Sequence, residues 1–220
     1  GTALTNIFAA YISNRKFPQF VCKGTISANE KKEILNKVKG LLICNISIVT
    51  YSTLDNIVIS SFIGLTAVAI YSNYITIYKA VNQLVVMIRS AMQASVGNSV
   101  AKESLSKNLY DVYQWQFLFS IIATWCATCM MCLYQPFMKM WMGKDLLLPL
   151  TDVILIVVWF SIDIVQQAHF LYITGSGLWN ELRYSYIFNT CFNLLLNFLL
   201  GKLIGITGVL IASLVTCIIS

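Results

Sequence analysis

Residues 71–97 read YSNYITIYKAVNQLVVMIRSAMQASVG, long and apolar enough for a membrane helix, yet they carry Lys79 and Arg89. A cation at the centre of a bilayer costs about 2.5–3.5 kcal/mol even on the mildest insertion scale. Placed on a helix at about 100° per residue, Ser72, Thr76, Lys79, Asn82, Gln83, Arg89, Ser90 and Gln93 gather within an arc of roughly 140°. Ile70, Ile77, Val81, Leu84, Val85 and Ile88 lie mainly outside it. A helix bathed in lipid would not collect its polar groups this way, so the stripe is expected to face other helices or a water-filled cavity. For Arg89 the competing reading is snorkelling to the cytoplasmic interface; Lys79 sits nearer mid-span.

The rest of the chain fits a membrane environment. Of 220 residues, 58% are hydrophobic and 11% charged, with mean hydropathy +0.73. Soluble domains carry about 45–50% apolar and about 25% charged residues. The formal net charge of +6 comes from only 15 basic and 9 acidic residues, too few for the broad basic surface of a nucleic-acid binder. The fold expected is an all-α integral membrane bundle. Continuous apolar runs favour helices over the short alternating strands of a barrel.

A bilayer-crossing helix needs about 20 mostly apolar residues. Spans are expected at 41–62, 68–96, 112–135, 150–173 and 184–201, with a truncated one at 205–220 and the end of another at 1–12. That makes about five full spans and two truncated ones. Residues 13–40 form a basic linker, and 41–220 one transmembrane bundle. The absence of a charged leader, and apolar residues running up to Ser220, suggest a piece of a longer protein.

Loop charges set the orientation. Arg15, Lys16, Lys23, Lys31, Lys32, Lys37, Lys39, Lys102, Lys107 and Arg183 fall on one side; Lys139, Lys144 and Lys202 fall on the other. The basic side is cytoplasmic, so 13–40, 97–111 and 174–183 face the cytoplasm and 63–67, 136–149 and 202–204 face outward. Within 13–40, Ser27 and Glu30 fit a capping box. Ile34, Leu35 and Val38 on one face, with lysines opposite, suggest a short helix on an anionic membrane surface. A plain solvated stop before the next span reads equally well.

Other spans carry polar faces too. In 150–173, Asp152, Trp159, Asp163, Gln166, Gln167 and Phe170 share a side. Asp163, near mid-membrane with Gln166 and Gln167, is expected either to pair with Lys79 or Arg89 or to couple transport to a proton or sodium ion. Asn189, Asn193 and Asn197 repeat every four residues; Asn45, Ser52 and Asn56 form a line with Asp55 beside it. Singly, such residues read as interhelical hydrogen bonding. Together they suggest a hydrated cavity, with Lys79, Arg89, Asn82, Gln83, Gln93, Asn45 and Asn56 as candidate substrate ligands. Two cations suit an anionic substrate such as a phosphate or carboxylate. Gly201 with Gly205, and Gly208 with Ala212, are spaced for close helix approach.

Enzymatic chemistry finds little footing. There is no Walker A sequence, and GSGLWNE at 175–181 lacks the third glycine of a dinucleotide fingerprint. His169 is the single histidine. Cys126, Cys129 and Cys132, spaced i, i+3, i+6, read as small apolar residues between helices rather than a metal or redox site. Residues 136–149 carry one carboxylate, Asp145, where a membrane glycosyltransferase or polymerase would normally show several. No catalytic residue, metal or cofactor is expected.

The segment STLDNIVISSFIGLTAVAIYSNY (52–74) resembles the junction of two spans in the Wzx-like polysaccharide flippases of the multidrug/oligosaccharidyl-lipid/polysaccharide (MOP) exporter superfamily. SAMQASVGNSVAKES (90–104), WMGKDLLLP (141–149) ahead of LTDVILIVV (150–158), and GITGVLIAS (205–213) extend the resemblance across nearly the whole chain. It implies a MOP/MATE-like architecture of two lobes, this chain covering the end of the first and most of the second. It also implies alternating-access transfer of a polyprenyl-pyrophosphate-linked oligosaccharide across a bacterial cytoplasmic membrane for surface polysaccharide synthesis. Partners implied are membrane lipids and polysaccharide polymerase and chain-length proteins. The family has no fixed catalytic motif, so the site residues rest on the polar stripes alone. Without a first lobe, the fragment by itself is not expected to transport. A small-molecule exporter of the same superfamily and a membrane-embedded glycan polymerase or glycosyltransferase are the alternatives.

Overall fold

The computed structural model describes residues 2–17 and 26–220. Residue 1 of the expected first span and Lys23 of the basic linker lie outside the described residues. Among those described, the secondary structure is helical, with no strand. The chain divides into two compact units, residues 1–36 and 37–220.

In the first unit, α1 (Thr2–Lys16) continues past the expected end at residue 12 and closes with Arg15 and Lys16 in its last turn. Cations there complement the free carbonyls of a helix C-terminus. The capping box forms at the start of the next helix. The Ser27 amide and hydroxyl donate to Glu30 Oε2 at 3.0 and 2.8 Å, and the Glu30 amide donates back to Ser27 Oγ at 3.3 Å. The bonds from the Ser27 hydroxyl and amide hold the Glu30 carboxyl below its ordinary pKa.

The helix it opens, α2, runs unbroken from Ala28 to Phe62. The basic stretch is therefore not a separate short helix but the first turns of the expected 41–62 span. Nothing between Asn36 and Leu41 breaks the backbone ladder. Gly40, the one weak helix former there, serves packing instead: a Cβ on it would lie 2.8 Å from Asn180 Cα.

The second unit continues with α3 (Leu65–Lys102), α4 (Leu105–Met142), α5 (Leu150–Ser176), α6 (Trp179–Ile204) and α7 (Ile206–Ile219). At 38 residues each, α3 and α4 are about 57 Å long, nearly twice the roughly 30 Å hydrocarbon core. They overrun the expected 68–96 and 112–135 at both ends. Four helices, α2, α4, α5 and α6, are long and apolar enough to cross a membrane, which makes this a multi-pass membrane protein by length and composition. Helix α3 is not among the four, and α7 is an apolar helix of 14 residues. The same polar residues that form the α3 stripe lower its average hydropathy, so a helix walling a wet cavity looks poor as a lipid-facing span.

Helix α5 packs against α3, α4 and α7, and α6 packs against α7. Phe119, Phe160, Ile156 and Ile164 form fully buried parts of this core. At the end expected to face outward, Tyr74 stacks on Tyr134 at 5.3 Å and donates to Gln135 Oε1 at 3.0 Å. Gln135 Nε2 then donates to the Leu148 carbonyl, and the Leu148 amide to the Tyr74 hydroxyl. This ring of bonds fastens the 143–149 connection to α3 and α4.

The α6–α7 joint turns on Gly205, whose φ of 70° favours glycine. Gly201 and Gly205 thus do not form one small-residue face, because Gly205 ends the helix. Gly208 makes the closest approach: a Cβ there would lie 2.1 Å from the Leu200 carbonyl oxygen, which is backbone and cannot swing away.

Gly208→Ala is expected to cost about 1–3 kcal/mol through overpacking, seen as a lower melting temperature in detergent; an unchanged melt contradicts the close joint. The connections at 103–104 and 143–149 cap opposite ends of α4. In a cysteine-free background, Asp145→Cys should react with a membrane-impermeant maleimide in intact cells, and Ser104→Cys only after permeabilisation. The reverse pattern overturns the orientation drawn from the loop charges.

Candidate functional site

Within the second unit, α2, α3, α5, α6 and α7 enclose a cavity of about 440 Å³. Its wall includes Asn56 and Asp55 from α2, Tyr71, Tyr78, Lys79, Asn82 and Arg89 from α3, and Trp159, Asp163, Gln166, Gln167 and Phe170 from α5. Tyr186 and Asn189 of α6 and Thr216 of α7 complete the far side. An adjoining hollow of about 410 Å³ shares Asp163, Gln166 and Gln167 and brings in His169.

Seven of the ten residues proposed from sequence line this cavity: Lys79, Asn82, Arg89, Asn56, Asp163, Gln166 and Gln167. Three do not. Gln83 follows Asn82 by about 100° around the helix and is exposed on the outer side. Gln93 lies one turn beyond Arg89, past the cavity's end, and Asn45 lies before the first α2 wall residue, Ser47. A wheel records angle but not depth, and depth excludes these two.

Asp163 does not pair with either cation. It accepts from the Tyr78 hydroxyl at 2.7 Å and from Asn82 Nδ2. Two neutral donors one helical turn apart on α3 bond to it directly, while Arg89 acts on it only at longer range. Gln166 Nε2 donates to the Cys217 carbonyl at 2.7 Å, tying α5 to α7, and Gln167 Nε2 donates back to the Asp163 carbonyl. Asn56 accepts from Ser72. Asp152, on the same expected α5 stripe, stands at the helix start and accepts from Thr207 at 2.7 Å.

The residue that sequence reasoning undervalued is Asp55. Only 6% exposed, it accepts from the Tyr71 hydroxyl at 2.7 Å, from Asn197 Nδ2 at 2.9 Å and from the Ser213 hydroxyl at 3.1 Å. One carboxyl group thus joins α2 to α3, α6 and α7. Asn197 also donates to Asn193, which donates to Thr216, and Asn189 donates to Ser220. The asparagine ladder of α6 is a hydrogen-bonded seam. A signal for the missed tyrosines was present: Tyr71, Tyr78, Asn82 and Arg89 follow i, i+7, i+11, i+18, a single helix face. Treating tyrosine as apolar hid it.

Arg89 lies within electrostatic reach of Asp163, and Lys79 of Asp55, without a direct bond. Among the described residues, neither Lys79 nor Arg89 forms an ion pair. The Arg89 guanidinium rests on the Phe170 ring at 4.3 Å, and its Nε is buried without a hydrogen-bond partner. Asn82 Oδ1 is likewise unpartnered. Cys129 and Cys132 are exposed on α4, Cys126 is half-buried, and no group of three or more His, Cys, Asp or Glu among the described residues could hold a metal ion.

Comparison with protein-family models, with curated proteins and with solved structures finds no match to this chain.

Asp55→Ala leaves three buried donors without their acceptor and is expected to cost on the order of 2–4 kcal/mol, read as a lower melting temperature in detergent. Asp55→Asn, which keeps one carbonyl oxygen, should lose less. Equal melts for wild type and Asp55→Ala contradict the hub.

Proposed function

We propose that the chain is the second-lobe part of a flippase that carries a lipid-linked, negatively charged oligosaccharide precursor across a bacterial cytoplasmic membrane. The observation that carries this reading is the pair of unpaired cations, Lys79 and Arg89, on the wall of a cavity within a bundle of membrane-capable helices. Burying a charge in such a place is costly unless a partner of opposite charge arrives. The nearest carboxyl groups, Asp55 and Asp163, are already served by tyrosine, asparagine and serine. An anionic substrate supplies what the protein leaves open. The resemblance to Wzx-like MOP flippases names its class: a pyrophosphate bearing sugars on a polyprenyl tail. The protein then works as half of a two-lobed MOP/MATE-like transporter without catalytic residues, alongside polysaccharide polymerase and chain-length partners.

A drug exporter of the same superfamily is the second reading. It is favoured by the rings of Tyr51, Tyr71, Tyr78, Trp159, Phe170 and Tyr186 on the same wall, which suit a flat organic molecule.

In a full-length background lacking its own flippase, Lys79→Ala and Arg89→Ala should each cut surface glycan on the order of 10-fold, the worth of one charge-assisted contact, at unchanged protein level. Wild-type glycan in both variants sinks the flippase reading. Drug sensitivity without a glycan defect moves the assignment to the exporter.

A further inference from the structure

Phe170 and Tyr186 line both the cavity of about 440 Å³ and the adjoining hollow of about 410 Å³. The smaller hollow alone takes in His169, Ile173, Leu182 and Ser185, from the parts of α5 and α6 that flank the turn between them. It therefore lies between the cavity and the side that the loop charges mark as cytoplasmic. A group that lines both chambers stands at their boundary.

The Phe170 ring is seated there from two directions. The Arg89 guanidinium of α3 rests over it at 4.3 Å, and the Trp179 ring of α6 meets it edge to face at 5.7 Å. Trp179 in turn leans on Tyr186 at 6.5 Å, and Tyr186 lies within electrostatic reach of Arg89. The helices carrying these rings are fastened at the same end. A Cβ on Gly175 would lie 3.3 Å from the Val96 side chain and 3.4 Å from the Gly97 nitrogen, so α5 is pressed against α3. The Cys44 thiol donates to the Trp179 carbonyl at 3.3 Å, and a Cβ on Gly40 would lie 2.8 Å from Asn180 Cα, so α6 is held to α2. Parting the helices here would break all of these contacts together. Turning one ring to another rotamer breaks only its contacts with Arg89 and Trp179.

We infer that Phe170 is a gate on a passage between α5 and α6 that joins the cavity to the cytoplasmic side, and that the Arg89 guanidinium is the latch that holds the ring shut. A cation over a ring face is attracted by the ring's quadrupole, most strongly where water is excluded. Arg89 Nε is buried without a hydrogen-bond partner, and Asp163 acts on the guanidinium only at longer range, so neither draws it off the ring. The gate concerns access alone and applies equally to a lipid-linked sugar or a drug in the cavity.

Ser52 lines the cavity but not the smaller hollow, and Ser185 lines the hollow but not the cavity. The test measures how fast a membrane-impermeant maleimide, added to inside-out vesicles, modifies Ser52→Cys and Ser185→Cys in the full-length protein. The background is cysteine-free, with Cys44→Ser keeping a donor for the Trp179 carbonyl. Adding Phe170→Ala or Arg89→Gln should speed modification at Ser52→Cys about 10-fold, the worth of one desolvated cation–π contact. Phe170→Tyr, which keeps the ring, should leave it at the parent rate. Ser185→Cys, on the near side of the ring, should react at one rate in every background. If Phe170→Ala does not fold, Phe170→Leu, which fills most of the volume without a π face, decides the same point. A parent rate at Ser52→Cys without the ring overturns the gate, and so does an equal rise at both positions, which means a loosened bundle. A rise with Phe170→Ala but none with Arg89→Gln overturns the latch. These rates involve no substrate, so they stand or fall separately from the glycan phenotype.

Discussion

The Asp55 carboxyl group, accepting from Tyr71, Asn197 and Ser213, draws α2, α3, α6 and α7 to one point at the cavity wall. In lipid, helices gain little by hiding apolar surface from one another, because the surrounding tails are equally apolar. Association then depends on close packing and on polar groups that lipid cannot satisfy. Asp55 supplies the second, and at 6% exposure it depends on its three protein donors. Gly201 and Gly208 supply the first, since a Cβ on Gly201 would meet Val58 at 2.8 Å, one turn along α2 from Asp55.

Asp163 repeats the device elsewhere on the same cavity wall, where Tyr78 and Asn82 bring α3 against α5. Both acidic groups are thus satisfied by neutral donors, three of the five coming from α3. A carboxylate paired with Lys79 or Arg89 would have spent those cations on the fold, since a buried ion pair broken on one side leaves a costly lone charge. Neutral partners hold the helices together and leave both cations on the cavity surface. Helix α3 accordingly divides its polar residues: Tyr71, Tyr78 and Asn82 bond to the acids, and Lys79 and Arg89 stand on the cavity wall.

That division explains which parts of the site were legible in the chain. The polar arc of 71–97 marked the cavity-facing side because lipid excludes polar groups whatever their partners, and Lys79, Asn82 and Arg89 do face the cavity. Gln83 falls on the Thr76 side of the arc, about 40° past Lys79 and away from the cavity, while Gln93 and Asn45 share the right face at the wrong depth. The Asp163 pairing was misjudged because charge suggests charge, whereas the nearest donors in space were a phenol and an amide. Asp55 was visible as an acid within an apolar run, but its three donors come from segments 16, 142 and 158 residues away. Nothing in local spacing links them.

Composition, run length and capping residues determined by themselves that the chain is helical and membrane-capable, that a helix starts after Ser27, and that one helix carries a polar face. Those are properties of a backbone that must satisfy its own hydrogen bonds in lipid and of side chains that partition one at a time. Tertiary structure alone decided that α2 is continuous from Ala28, that the acids bond to tyrosine and asparagine, and that two cations without a direct ion pair line one cavity. Each of these depends on which groups lie within about 3 Å of one another across different helices, a distance that periodicity along a single helix does not contain.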